Sequence, residues 1–156
     1  MILNRQRHVR ISISRLEKFL AAAQKRLGVA ASSLTVALVS DAEIARWNRS
    51  YRGKNKPTDV LSFPVEDEAP AKGNFVKQRS RRRTTRSAAR GDYLGDIAIA
   101  PRVARKNAEE FGRTFEIEMR ILILHGILHL MGYDHETDTG QMERRENRLR
   151  RELGLA

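Results

Sequence analysis

The segment HGILHLMGYDH, residues 125–135, holds three of the four histidines in the chain. His125 and His129 are four apart, so on a helix their imidazoles share a face one turn from each other and can hold one ion. Gly132 follows, and a glycine's freedom at positive φ lets the chain reverse. His135 can then fold back as a third ligand. Three imidazoles with an open fourth position are how catalytic zinc is held, although nitrogen donors alone also accept other divalent ions. The spacing H-x-x-x-H-x-x-G-x-x-H equals that of a large class of zinc proteases. Those carry glutamate after the first histidine as general base; here the residue is Gly126, which cannot move a proton. The missing glutamate argues against peptide hydrolysis. A bound divalent ion acidifies water toward a pKa near ~7, so a different base, or none, can serve. Asp134, Glu136 and Asp138 are close in sequence, but sequence places none of them over the ion. His8 stands alone and is assigned no role.

The elements that must position these residues follow from periodicity and punctuation. The histidine helix is expected to begin after Thr114, a suitable N-cap, with Glu116 and Glu118 in its first turn, and to stop at Gly132. Before it, Pro101 suits the first turn of a helix running to about Phe111, with Gly112 past its end. After it, residues from about Asp138 to Leu153 form a charged amphipathic helix. Strands are expected at HVRISIS (8–14), which alternates apolar and polar residues, at LTVALVS (34–40), at DVLSF closed by Pro64, and at YLGDIAIA (93–100). Ser14 is the expected cap of a first helix with the stripe Leu16, Phe19, Leu20, Ala23 and Leu27, ended by Gly28. Asp41 opens a short helix carrying Ile44, Ala45 and Trp47, and Gly53 and Pro57 mark a loop. The expected fold is α+β: a single small mixed sheet of about four strands packed with about five helices, with the metal site on a central helix.

At 156 residues one domain spanning 1–156 is expected, long enough to bury a core. Without cysteine there are no disulfides or thiolate ligands. No apolar run reaches membrane-spanning length, and the polar MILNRQRHVR start lacks a signal-peptide apolar region. A cytoplasmic protein without membrane partners is the expectation. The net charge of +11 points to RNA, DNA or an anionic surface as partner. Residues 72–90 carry eight Lys and Arg and no acid, so that segment supplies +8 of the +11. Residues 66–92 lack a hydrophobic period and read as a basic flexible insertion able to bind phosphates.

HGILHLMGYDH, WNRSYRGKNKPTDVLSFP (47–64) and LGDIAIA (94–100) together resemble the YbeY family of metal-dependent endoribonucleases that mature bacterial ribosomal RNA. Order and spacing agree over nearly the whole chain apart from 66–92, where the family's connection is shorter. The resemblance implies one zinc ion per chain on His125, His129 and His135, with His125 and Arg52 in the catalytic machinery. It implies single-strand-specific cleavage of ribosomal RNA precursors, including the 3′ end of the small-subunit RNA, and a part in ribosome quality control. Implied partners are the precursor RNA, the small subunit and its ribosomal proteins. Chemistry gives Arg52 a reason: a guanidinium beside a cation stabilises charge that develops on phosphoryl oxygens. The plainer reading makes Arg52 a loop residue paired with Asp59 or Asp96. Lys54 and Lys56 are candidates to hold substrate backbone. Thr58, Asp59 and Asp96 fit structural caps, Trp47 fits the core, and Tyr133 and Asp134 are placed to brace the third ligand. A second reading, from a different class, is an RNA-binding ribosome-assembly factor whose metal is mainly structural. Metalloproteolysis is the weakest reading, because of Gly126.

Overall fold

The computed structural model describes residues 1–65 and 93–155; the basic insertion expected at 66–92 lies outside the described residues. In chain order the elements are β1 (Ile2–Asn4), α1 (Ile13–Leu27), a 3-10 turn (Ala31–Ser33), β2 (Leu34–Leu38), α2 (Asp41–Arg52), β3 (Val60–Pro64), β4 (Gly95–Ile99), α3 (Pro101–Phe111), α4 (Phe115–Leu130) and α5 (Gln141–Glu152). The sheet order is β1-β2-β4-β3, with β1, β2 and β4 parallel and β3 antiparallel at the β4 edge. Four strands in a mixed sheet with five helices make the α+β fold expected from the sequence.

Strand alternation divides the apolar residues between two faces. Val36, Leu38, Ile97 and Ile99 join α1 and α4 in the larger core. Ala37, Ala98, Leu61 and Phe63 face the other way and pack with Ile44 and Trp47 of α2. Trp47 is therefore a core residue, edge-on to Phe63 with ring centroids 5.9 Å apart. The stripe Leu16, Phe19, Leu20, Ala23 and Leu27 of α1 is buried as its spacing implies.

Beyond its charged first turns, from Ile121 to Leu130, α4 is apolar around its circumference except at the two histidines, the pattern of a helix enclosed by other elements rather than lying on a surface. It packs on β3 and β4 and against α1, α3 and α5. Thr114 caps it, its hydroxyl accepting from the Ile117 amide at 3.1 Å. Gly126 is where α4 presses on the sheet. A Cβ there would sit 2.9 Å from both Cδ1 and Cγ2 of Ile97. In addition, Ser62 Oγ of the neighbouring strand donates to the Gly126 carbonyl at 3.3 Å. Glycine thus stands where a protease carries its glutamate because this position faces the sheet, and a longer side chain would be driven into Ile97. Gly126→Ala is expected to lower the thermal midpoint. Overpacking costs about 1–3 kcal/mol, more than the ~0.5–1 kcal/mol that alanine returns in helix propensity. A raised midpoint in a thermal melt would show instead that α4 can lift off the sheet freely.

The N-terminus departs from expectation. The strand is Ile2–Asn4, not residues 8–14, and the first helix is capped by Ser12 rather than Ser14, with Ser12 Oγ accepting from the Arg15 amide at 3.4 Å. β1 occupies the free side of β2, pairing Ile2 with Val36 and Asn4 with Leu38. Val9 is buried without a ladder, because the buried Gln6 side chain stands in for one. Gln6 Nε2 donates to the Val9 carbonyl at 3.0 Å, and the Val9 amide donates to Gln6 Oε1 at 2.9 Å.

Candidate metal centre

The last turns of α4 carry His125 and His129, with their rings 4.7 Å apart between centroids. The helix ends at Met131, and Gly132 at φ +102° turns the chain back. That reversal sets the His135 ring 5.6 Å from that of His125 and 5.3 Å from that of His129. One nitrogen from each ring lies within 4.8 Å of the others. His125 Nε2 and His129 Nε2 are 3.1 Å apart. Four ligands ~2.0–2.1 Å from a tetrahedral ion are separated by ~3.3–3.4 Å, so the spacing suits a shared cation. These three residues are the candidate metal group among the described residues.

The protonation pattern agrees. Burial, followed by the charges of His125 and His135, holds the His129 imidazole below its ordinary range. Asp134 and a backbone hydrogen bond at Tyr133 act the other way. A neutral imidazole is the form that ligates.

Behind His125 stands a residue that sequence reasoning missed. Glu146 of α5 is 8 % exposed, and its Oε1 lies 2.6 Å from His125 Nδ1. Burial works against the charge of Glu146, but the hydrogen bond and charge of His125, with those of Arg150, outweigh it and hold the carboxyl below its ordinary range. An ionised carboxylate only accepts, so Nδ1 carries a hydrogen, and when the imidazole is neutral Nε2 is the nitrogen left with a lone pair for the centre. Arg150, one turn on, pairs with the other carboxylate oxygen. The signal was present in the sequence: Met142, Glu146 and Leu149 recur at i, i+4 and i+7, an acid inside an apolar stripe. Glu146→Gln is expected to weaken affinity for an added divalent metal ion about 10–100-fold with α5 retained. A chelator-competition titration checks it, and unchanged affinity would remove Glu146 from the site.

The three acids near the histidines have separate tasks. Asp134 Oδ1 accepts from the Glu136 amide at 3.0 Å and shapes the turn that presents His135. Tyr133 packs partly buried against the main core. Asp138 opens α5, its carboxylate accepting from the Gly140 and Met142 amides at 2.9 Å each. The Met142 and Gly140 hydrogen bonds hold Asp138 below the ordinary carboxylate range. A folded-state pKa below the unfolded one contributes stability that is present above the unfolded value and lost as pH falls through the folded value. The stability difference between wild type and Asp138→Ala should therefore be full near neutrality and shrink in acid, below about pH 4. Melts across that range check it; a difference that grows on acidification would exclude the cap.

Glu136 meets Arg52. The guanidinium Nη2 is 3.3 Å from Glu136 Oε1, which lies 84 positions on in the chain. Arg52 is the last residue of α2 and not a loop residue, and its carboxylate partner is Glu136 rather than Asp59 or Asp96. α2 reaches the site because Ser40 caps its start, Ile44, Trp47 and Asn48 are buried along it, and Gly53 in the left-handed region ends it. Asp59 is taken by Asn107, whose Nδ2 donates at 3.1 Å, and Asp96 is buried beside the Tyr93 hydroxyl. Thr58 donates to Asp59 at 3.4 Å. These residues hold structure, as their types suggested. Lys54 and Lys56 are exposed.

A cleft of ≈ 710 Å³ joins the parts: the three histidines line it, with Tyr51 and Arg52 from the end of α2 and Ser62 from β3. A cation held there by three imidazoles beside a partly exposed guanidinium, in a cleft open to solvent, could bind an anionic substrate and stabilise charge that develops on it.

Known proteins resemble this chain over most of its length. The family model described as Endoribonuclease YbeY matches residues 1–154. The endoribonuclease YbeY of Nautilia profundicola is 42% identical over 118 residues, 76% of this chain and 70% of that protein. That of Koribacter versatilis is 38% identical over 155 residues, 99% and 86% of the two chains. The solution structure of TM1509 from Thermotoga maritima superposes with a TM-score of 0.57 at 29% identity, covering 98% of this chain and 89% of that one. Similarity that runs from β1 through α5 takes in the histidine turn, the Arg52 helix and the strand between them, and on that ground the chain belongs to the endoribonuclease YbeY family.

Proposed function

We propose that this protein is a zinc-dependent, single-strand-specific endoribonuclease acting on ribosomal RNA precursors in the cytoplasm. Its work would include maturation of the small-subunit RNA 3′ end and ribosome quality control, beside small-subunit ribosomal proteins. The single observation that carries the reading is the cleft in which Arg52 and three convergent histidines share one wall. Among the described residues no helix is long and apolar enough to cross a membrane.

His125, His129 and His135 would hold one zinc ion. When bound, such an ion supplies Lewis acidity toward a phosphoryl oxygen and acidifies water near neutral pH. The remaining work falls to side chains. Glu146 fixes the His125 ring from behind, so that the site is formed before substrate arrives. Arg52 exchanges its exposed partner Glu136 for the phosphoryl oxygens and stabilises the charge they gain as the P–O bond breaks. Pairs as exposed as Arg52 and Glu136 hold each other weakly, so that exchange is easy. Lys54 and Lys56 stand where they can steady the phosphates to one side.

The reading is tested by incubating end-labelled single-stranded RNA and its duplex with purified protein before and after chelation, then with one equivalent of zinc restored. Cleavage of the single strand that disappears on chelation and returns with zinc is expected. A product ending in a 2′,3′-cyclic phosphate would assign the attack to the RNA's own 2′-hydroxyl. Zinc-loaded protein that binds RNA tightly without cutting it would move the assembly-factor reading into first place.

A further inference from the structure

The cationic surface does not stop at the histidine cleft. A second concavity, ≈ 370 Å³, runs between the Lys54–Lys56 loop and the side chains of Val103 and Asn107 on α3. Arg52, Thr58 and Asp59 line both it and the first cleft. A third, ≈ 540 Å³, is lined by His8 and by Arg102, Arg105, Lys106 and Glu109 of α3. Arg102 and Lys106 stand one residue before Val103 and Asn107, about 100° round the same helix. The first two hollows thus share residues, and the second and third are both lined by α3.

The second hollow is built to keep its shape. Asn107 Nδ2 donates to Asp59 Oδ2 at 3.1 Å, and the Ala100 amide donates to the Asp59 carbonyl at 2.9 Å. From the other side the buried Asn48 donates to the Lys56 carbonyl at 2.9 Å. The lysine loop is thereby pinned to α3 at one end and to α2 at the other.

Glu109 and Glu110 follow on α3, yet close ion pairs to the cations of this surface are few among the described residues. Among the described residues, Lys54, Lys56, Arg105 and Lys106 have no carboxylate within 4.0 Å. Arg102 has only Asp41, at 3.9 Å with both side chains partly exposed. Arg102 lies three and four residues before Arg105 and Lys106, spacings at which like charges on a helix repel. A polyanion laid along this face removes that repulsion; a compact neutral ligand does not.

Resting on the endoribonuclease reading, we infer that α3 is a docking surface for RNA outside the cleavage site. The strand leaves the histidine cleft past Arg52, crosses the Lys54–Lys56 loop and sets its phosphates on Arg102, Arg105 and Lys106. The surface reads no bases; it selects for substrates long enough to reach it.

The test compares wild type with the triple variant Arg102→Gln, Arg105→Gln, Lys106→Gln. Glutamine keeps the helix propensity of the residues it replaces, and all three positions are exposed. Anisotropy of labelled single-stranded RNAs of roughly 5 and roughly 20 nucleotides is followed across a salt series. For the long RNA the variant should bind at least about tenfold more weakly, with the slope of log affinity against log salt reduced by about 2, three phosphates at ~0.7 each. Binding and cleavage of the short RNA should not change. Arg105→Gln alone, a milder change, should reduce the slope by about 0.7. An unchanged slope with the long RNA, or equal loss for both lengths, overturns the docking surface, whatever else the patch recognises. If wild type cuts both RNAs and the variant matches it throughout, only the docking inference fails. If wild type neither binds nor cuts either RNA, the endoribonuclease reading fails first and this inference with it.

Discussion

His129→Ala should lose its zinc and cut RNA at background, with circular dichroism unchanged. The ring is one corner of a near-equilateral triangle, 4.7 Å from His125 and 5.3 Å from His135, and two imidazoles alone make a weak and poorly oriented site. On the proposed zinc-dependent reading, losing the ion would remove a charge beside the phosphate and the acidification of water near neutral pH, so the rate should fall by more than about 10³-fold. The helix should survive because the buried face of α4, from Met119 through Leu130, is untouched. A readout independent of activity is available. Zinc raises the melting midpoint of any protein it binds in the native state only; wild type should show that rise and His129→Ala should not. If the variant retains one zinc per chain and full cleavage, the three histidines are not the centre.

Arg52→Ala separates chemistry from metal holding. The variant should keep its zinc and its fold and lose about 10²–10³-fold in kcat, the usual loss when one donor to a developing oxyanion is removed. Stability should change by less than about 1 kcal/mol, because the side chains of Arg52 and Glu136 are 43% and 61% exposed and such pairs contribute little. Arg52→Lys should recover only part of the rate, since an ammonium lacks the planar fork that meets two phosphoryl oxygens together. Glu136→Gln serves as the control. If Arg52 works mainly through its ion pair, that variant will be as slow as Arg52→Ala. If Arg52 works on the phosphate, Glu136→Gln will cut at least as fast as wild type. An Arg52→Ala protein that loses zinc along with activity would reduce the residue to a structural one.

The fold was legible where the signal is local. α3 begins at Pro101 and ends before Gly112, and α4 is capped by Thr114, because caps and helix breakers act on neighbouring backbone groups. β2 and β4 lie inside their expected segments, since short, mainly aliphatic runs of that length suit a sheet covered on both faces, and every residue of both strands is buried. The misreading at residues 8–14 shows the limit. Alternation at Val9, Ile11 and Ile13 does reflect one-sided burial, but whether such a segment enters the sheet depends on which segment occupies the side of β2 in the packed fold. Here Ile2–Asn4 holds that place, and Gln6 satisfies Val9 instead.

The site divides in the same way. By itself the sequence determined the three histidines, because their geometry is a helix turn and a glycine reversal within eleven positions. It also determined a basic chain suited to polyanions. Only the tertiary structure decided what surrounds the centre. It brought Glu146 behind His125 across 21 positions and Glu136 to Arg52 across 84, and it tied the lysine loop to α3 through Asn107. It also showed that Gly126 lies against Ile97, so the absent glutamate is a matter of helix-on-sheet packing as well as chemistry. The physical reason is common to all four. Periodicity and capping record what a residue needs from its near neighbours. Which acid meets which cation, and which helix face meets a strand, depend on how the whole core packs. Single-sequence patterns do not carry that information.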